Sequence, residues 1–530
     1  MISPTRSDAT VALPRQQFDA LQSTLRTQGA EIAQLRQQLD WFKRQVFGTK
    51  SEKRTDPDSE QAALFNALVA AERSNEPATV DVPRHKRSKY RSGDEVNDTG
   101  LRFGAQVPVR EITLSCPELD GPHADQYEVI DYKTSLRLAR QPGSHVLIKY
   151  LRPVIRHKAE GAMITAAAPV GVLDHAQVDV SFLAGMAVDK FVYHLPLYRQ
   201  HQRLADEGIV VSRSTIDGWL RSAIDLLSPI AKAIRQQILQ GSHLKIDETP
   251  IKAGRTKTTS GPNAGQGKMK TGWLWPVLGE QGDIAFGYSD QRGAAAVKAF
   301  LGEAYQGTIQ TDGYRVYAQY AEKLPGCVHA LCWAHTRRAF LKAEQGEPQP
   351  VAKALEMIRA LYAIERRLKD ATADAAMILQ IRQTESQPIV DQFFAWIAEQ
   401  IANPALLPQS PLARALGYAR EREAGLRVYL TDAWLDLDTN DLERALRVIP
   451  MGRKNWMFCT TEVGARHVST IQTLLCTCRA HGVDPYSYLV DVLQRINLTP
   501  ASQVNELTPR AWAKRFAAKP LQSDLAIARQ

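Results

Sequence analysis

The chain has 530 residues, 44% of them apolar, which is enough for three or more folding units with buried cores. Its formal charge of +9 favours a polyanionic partner, nucleic acid foremost, and speaks for affinity rather than specificity. No apolar run approaches the roughly 20 residues of a membrane span, the opening MISPTRSDAT has no secretory core, and six scattered cysteines suit a reducing compartment, so a cytoplasmic protein free of membrane is expected.

From Phe18 the apolar positions fall at Leu21, Leu25, Ile32, Leu35, Leu39, Phe42 and Val46, with Gln28 in the skipped place. This 3-4 alternation is a heptad seam and predicts an N-terminal coiled coil over residues 1–48 that makes the chain a homo-oligomer. Residues 49–109 are polar and carry the tract Arg84-His-Lys-Arg-Ser-Lys-Tyr-Arg91, a flexible basic linker able to grip phosphates. Alternating runs such as Ser144 to Tyr150 predict a small β-rich domain over 110–180. Within 181–240, a helix from Leu197 to Glu207, a turn at Gly208 and a second helix after Ser212 form a helix-turn-helix-like segment that offers Arg213 to DNA.

Residues 241–338 carry the most chemistry. In His243-Leu-Lys-Ile-Asp247 the apolar Leu244 and Ile246 share one face and Lys245 and Asp247 the other, so Asp247 projects from a strand interior. Thr271 to Leu278 and Ile284 to Tyr288 complete an antiparallel meander, and a helix from about Gly293 to Ala304 leads to the strand Thr308 to Thr311. That strand ends on Asp312, before Gly313, at the edge of an α/β sheet where ligand sites gather. A right-handed crossover lays it parallel to the first strand and brings Asp247 and Asp312 side by side. Two such carboxylates repel, and a pair of divalent cations, Mg²⁺ or Mn²⁺, relieves the repulsion and serves in-line phosphoryl displacement.

A helix from Tyr314 to Leu324 and a strand from Cys327 to Leu331 follow. Cys332-x-x-His335 has half the spacing of a zinc site, but no second pair lies near, which favours a structural role. Residues 339–434 read as a helical insertion, broken at Pro404, Pro408 and Pro411. Over 435–500 the chain returns to the core, and 501–530 is an uninformative tail. A third acid is expected on the helix capped by Thr439 or Asn440, where Glu443 lies beside the apolar stripe Leu442, Leu446 and Ile449. Glu462, in a polar loop, and Asp438 and Asp441, at the helix start, compete for the role. Arg444 and Arg447 stand close to Glu443, and Arg453 and Lys454 belong to a loop expected to contact phosphate.

Several blocks, in order, carry a resemblance: Phe47-Gly-Thr-Lys-Ser51, His194-Leu-Pro-Leu-Tyr198, Asp247-Glu-Thr-Pro, Gln310-Thr-Asp312-Gly-Tyr, Cys332-Trp-Ala-His335, Asn440-Asp-Leu-Glu443-Arg444, Gly452-Arg-Lys-Asn-Trp456 and Asp484-Pro-Tyr-Ser-Tyr. Together they resemble bacterial transposases of the insertion sequence 66 family over almost the whole chain. The resemblance implies an α/β, RNase H-like catalytic core interrupted by the helical insertion, with Asp247, Asp312 and Glu443 as catalytic and metal-binding acids of a DDE transposase. It also implies double-stranded DNA, as terminal inverted repeats and target, as partner, with strand cleavage and strand transfer as the reaction. Accessory proteins of the element are a further partner that the resemblance admits. The family's zinc module, built from two Cys-x-x-Cys pairs, has only Cys116 to match it here, so loss of the zinc is expected. The competing functions are a host nuclease on the same fold and a non-catalytic DNA-binding regulator.

Overall fold

The computed structural model describes residues 24, 28, 102–103, 107–141, 143–174, 176–256, 267–456 and 459–527. The heptad seam and the basic tract Arg84 to Arg91 lie outside the described residues, apart from Thr24 and Gln28, which are helical and exposed. The described residues fall mainly into two compact units, one containing 335–424 and one containing those of 102–334 with 425–527.

The larger unit opens with a four-stranded sheet. Strands β2 (Tyr127–Gln141) and β3 (Ser144–His157) make a long antiparallel hairpin, flanked by β1 (Val109–Thr113) parallel to β3 and β4 (Met163–Thr165) antiparallel to it. Cys116 is buried there against Ile155 and Ala166, as a small apolar side chain. Helices α1 (Val180–Phe191), α2 (Leu197–Asp206) and α3 (Arg213–Leu239) follow. Ser212 caps α3 by accepting from the Thr215 N–H at 3.0 Å. Ile216, Leu220, Ile224, Leu227, Ile230, Ile234 and Ile238 recur at helical spacing and bury one side of α3 in the core.

The second sheet has the order β8-β7-β5-β9-β10, with β6 also on β7. These strands are β5 (His243–Ile246), β6 (Thr249–Arg255), β7 (Met269–Gly279), β8 (Ile284–Ser289), β9 (Gly307–Thr311) and β10 (Cys327–Leu331). Helices α4 (Ala294–Leu301) and α5 (Arg315–Ala321) make the crossovers into β9 and β10. Strand β5 is antiparallel to β7 and parallel to β9, with Thr308 opposite His243 and Gln310 opposite Lys245. Continuing that register puts Asp312 level with Asp247.

Asp247 differs from its expected setting in one respect. It occupies a break between β5 and β6, although the register against β7 is continuous, Ile246 facing Val277 and Thr249 facing Leu274. Its partner there is Pro276: the Asp247 N–H donates to the Pro276 carbonyl at 3.3 Å, and proline has no N–H to return.

After β10, the segment 425–439 is stitched onto the sheet. Trp333 Nε1 donates to the Leu426 carbonyl at 3.0 Å, Gln310 Nε2 to the Asp436 carbonyl at 2.6 Å, and the Trp333 N–H to the Leu437 carbonyl at 2.9 Å. These bonds make 425–434 part of the larger unit rather than of the helical insertion. The smaller unit's described helices include α6 (Pro348–Asp370), α7 (Gln387–Ala402) and α8 (Pro411–Arg420). Phe340 and Phe393 pack edge to face in its interior.

Helices α9 (Asn440–Leu446), α10 (Val448–Trp456), α11 (Glu462–Ala480) and α12 (Pro485–Arg495) close the larger unit. Helix α11 caps the sheet edge: Thr473 and Thr477 hydroxyls accept from the Phe286 and Ile284 N–H groups at 2.9 and 3.0 Å. The tail is structured, contrary to its plain sequence. Helix α13 (Pro509–Arg515) buries Trp512, whose Nε1 donates to Asp491 at 2.9 Å.

Candidate active site

Asp247 and Asp312 stand at matching points of neighbouring parallel strands, on the C-terminal lip of the sheet. Their carboxylates are aimed by local backbone donors: Asp247 Oδ1 accepts from the Glu248 N–H at 2.7 Å, and Asp312 Oδ1 from the Tyr314 N–H at 2.8 Å. Glu443 comes from α9, in its first turn, where Leu442 beside it is fully buried. Burial pushes the Asp247 carboxyl up to about 7; the Glu248 N–H bond opposes the shift, while the charges of Asp312, Glu248 and Glu443 add to it. The three predicted acids therefore converge on one region.

Two contacts fix α9 to the sheet. Lys245 on β5 donates to Asp441 at 2.7 Å and also to Asp436. The Thr439 N–H donates to buried Cys332 Sγ at 3.4 Å, which gives that cysteine a structural place.

Glu248, Arg292 and Tyr317 surround the acids and were not singled out by sequence. The Glu248 side chain is only 2% exposed and is paired with Arg292 at 2.6 Å. Tyr317 donates its hydroxyl to Glu248 at 2.5 Å. Burial drives the Tyr317 phenol well above its ordinary value, and Glu248 reinforces this, so the hydroxyl stays a donor. The signal available in the sequence was Glu248 itself, a second acid directly after Asp247.

The predicted basic residues divide. Arg213, Arg444, Arg447 and Lys454 are exposed. Arg453 is partly buried and donates to the Pro250 carbonyl of β6. Both Arg453 and Lys454 belong to helix α10 and not to a loop. Pro450 is tolerated there in the first turn, where its missing N–H costs nothing, and Gly452 allows Trp456 to pack close, since a Cβ would lie 2.5 Å from its Nε1. Glu462 likewise opens α11, capped by Thr461, and pairs with Lys270 at 3.1 Å. Asp438 accepts from the Asn440 N–H at 3.0 Å at the start of α9.

Among the described residues no three or more His, Cys, Asp or Glu side chains are gathered as a ready metal-holding group. The donor chemistry nonetheless suits a hard cation: the groups are carboxylates, and Asp247 is raised first by burial and then by the charges of its acidic neighbours, which a divalent ion would offset. No described helix is long and apolar enough to cross a membrane.

Comparison with known proteins places the chain in a family. The Transposase IS66 family matches residues 175–467, the IS66 C-terminal element residues 473–510, and the Transposase C of IS166 homeodomain residues 34–95. The chain is 28% identical to the uncharacterized protein y4qI of Sinorhizobium fredii over 525 residues, covering 95% of this chain and 93% of the relative. It is 31% identical to the uncharacterized protein y4hP of the same organism over 376 residues, covering 66% of this chain and 65% of that one. With a family match across its sheet, insertion and acid-bearing helix, the chain belongs to the IS66 family of transposases.

Proposed function

We propose that this transposase cuts and joins DNA at the ends of its insertion sequence with Asp247, Asp312 and Glu443 as the catalytic acids of an RNase H-like core. The observation that carries the reading is the placement of Asp247 and Asp312 at matching ends of two parallel strands, with Glu443 adding its charge to theirs. The three carboxylates would hold Mg²⁺ or Mn²⁺, which supplies charge neutralisation and activation of the attacking oxygen in a phosphodiester displacement. Each acid has a rigid mount, on a strand end or on a helix anchored by Leu442, and such rigidity matters because small misplacements are costly in catalysis. Exposed Arg444 on α9 and Arg447 at its C-terminal cap follow Glu443 and serve to receive backbone phosphates. Arg213, at the start of α3, and Lys454 extend the DNA contact, and the N-terminal heptads hold protomers together.

The test is cleavage of a plasmid carrying the element with its flanking DNA. Mg²⁺- or Mn²⁺-dependent strand cleavage at the element's ends is expected, abolished by chelation and by Asp247→Asn, while DNA binding survives. Full cleavage by Asp247→Asn would remove that residue from the chemistry.

A further inference from the structure

Arg292 is held at the rim of the acid cluster in a fixed plane. Its Nε and one Nη donate to Glu248 Oε1 at 3.0 and 2.6 Å. Its guanidinium carbon lies 4.2 Å from the Tyr314 ring centroid and 4.7 Å from that of Trp273. Glu248 adjoins Asp247, and Tyr314 is the residue whose N–H holds Asp312, so the guanidinium rests against both acid-bearing turns. Glu248 is 2% exposed but Arg292 is 40% exposed, and its second Nη makes no hydrogen bond to protein among the described residues. Neutralising Glu248 requires one edge of the guanidinium; it does not require two aromatic rings that orient the other edge outward.

We propose that Arg292 is a substrate-binding residue of the DNA reaction, its outward edge receiving a phosphate oxygen of the strand that crosses Asp247 and Asp312. This rests on the strand-cleaving function argued above. Three carboxylates repel a polyanion, and a guanidinium already oriented by Glu248, Trp273 and Tyr314 offsets that repulsion without reorganising when DNA arrives. The planar fork also suits a phosphate better than the point charge of a lysine.

The competing explanation is that Arg292 serves only as counter-ion to buried Glu248. The double variant Arg292→Met with Glu248→Gln separates the two, because it removes both charges and keeps an acceptor for the Tyr317 hydroxyl. In the full chain, three quantities are measured: the melting temperature, the salt dependence of binding to a fluorescein-labelled random-sequence duplex, and single-turnover cleavage of the element-bearing plasmid in Mg²⁺. The double variant is expected to melt like wild type, to lose about 0.9 from the slope of log K against log salt, and to cleave roughly 10- to 100-fold more slowly, as for loss of one charge-assisted bond. Arg292→Lys, which keeps the charge without the fork, is expected to cleave about tenfold more slowly. Wild-type slope and cleavage in the double variant would overturn the assignment. If that variant does not melt cooperatively, wild-type cleavage by Arg292→Lys overturns it instead. A wild-type protein that never cleaves would remove the nuclease reading, while the salt slope still reports whether Arg292 meets phosphate.

Discussion

Lys245 Nζ lies 2.7 Å from Asp441 Oδ2, and this contact joins the strand that leads into Asp247 to the helix that carries Glu443. The lysine is only 12% exposed and the aspartate 37%, with Asp436 as a second acceptor on the solvent side. Burial disfavours the ammonium, but Asp436 and Asp441 outweigh it and hold the Lys245 pKa above its ordinary value. Lys245→Met is expected to lower stability by about 1–2 kcal/mol, less than a fully buried pair because Asp441 is partly solvated. A double-mutant cycle with Asp441→Asn in urea should show coupling of about 1 kcal/mol. Zero coupling would mean that α9 is placed by its apolar contacts alone.

The burial of Asp247, with the neighbouring carboxylates adding to it, has a consequence for stability. Its folded pKa, about 7, lies above the ordinary carboxyl value, so the folded chain binds this proton more tightly than the unfolded chain. Its contribution is therefore favourable at low pH, declines as pH rises through the interval from about 4 to about 7 and is fully lost above it. Asp247→Asn cannot ionise and should gain on wild type across that window, by about 4 kcal/mol at pH 8 relative to pH 4 without added cations. Thermal melts of both proteins at the two pH values test this. A variant that loses ground at pH 8 would show that Asp247 is not held in a setting that disfavours its charge.

Arg453 and Lys454, neighbours in sequence, should behave differently. Arg453 is spent on the Pro250 carbonyl and ties α10 to β6, whereas Lys454 is exposed. Lys454→Gln should remove about one phosphate contact from the salt slope of DNA binding. Arg453→Gln should cost about 1–2 kcal/mol of stability with little change in slope. Equal slopes in wild type and Lys454→Gln would take α10 out of the DNA path.

The alternation around Leu244 and Ile246, and the abrupt stop at Asp312-Gly313, made the two central strands and their acids readable from sequence. Their parallel pairing followed from the intervening helix. Long-range partners were not readable. The break at Asp247 lies opposite Pro276 of another strand, and the Glu248 network draws Arg292 from the turn before α4 and Tyr317 from α5. Gly452 and Pro450 suggested a loop because each commonly breaks a helix, yet one sits in a first turn and the other makes room for Trp456. The tail gave no periodic signal, since its order comes from Trp512 meeting Asp491 on α12.

The remaining contest is between Glu443 and Glu462 for the third acid. Both now lie on helices, so a rigid mount no longer separates them. Their charges fall in different places. Glu443 is among the groups that raise Asp247, whereas Glu462 acts on Tyr288, whose phenol burial chiefly pushes up to about 12. Glu462 is also paired with Lys270 at 3.1 Å and sits at the first turn of α11, where a carboxylate is favoured by the helix dipole. Its chemistry is accounted for without a cation. Glu443→Gln is therefore expected to eliminate both cleavage and strand transfer, and Glu462→Gln to keep them within about tenfold of wild type, since loss of one partly exposed pair costs about 1 kcal/mol. Paired plasmid assays on the two variants decide the matter. Loss of activity in Glu462→Gln, with Glu443→Gln active, would move the third acid to α11 and leave α9 as a DNA-contacting helix only.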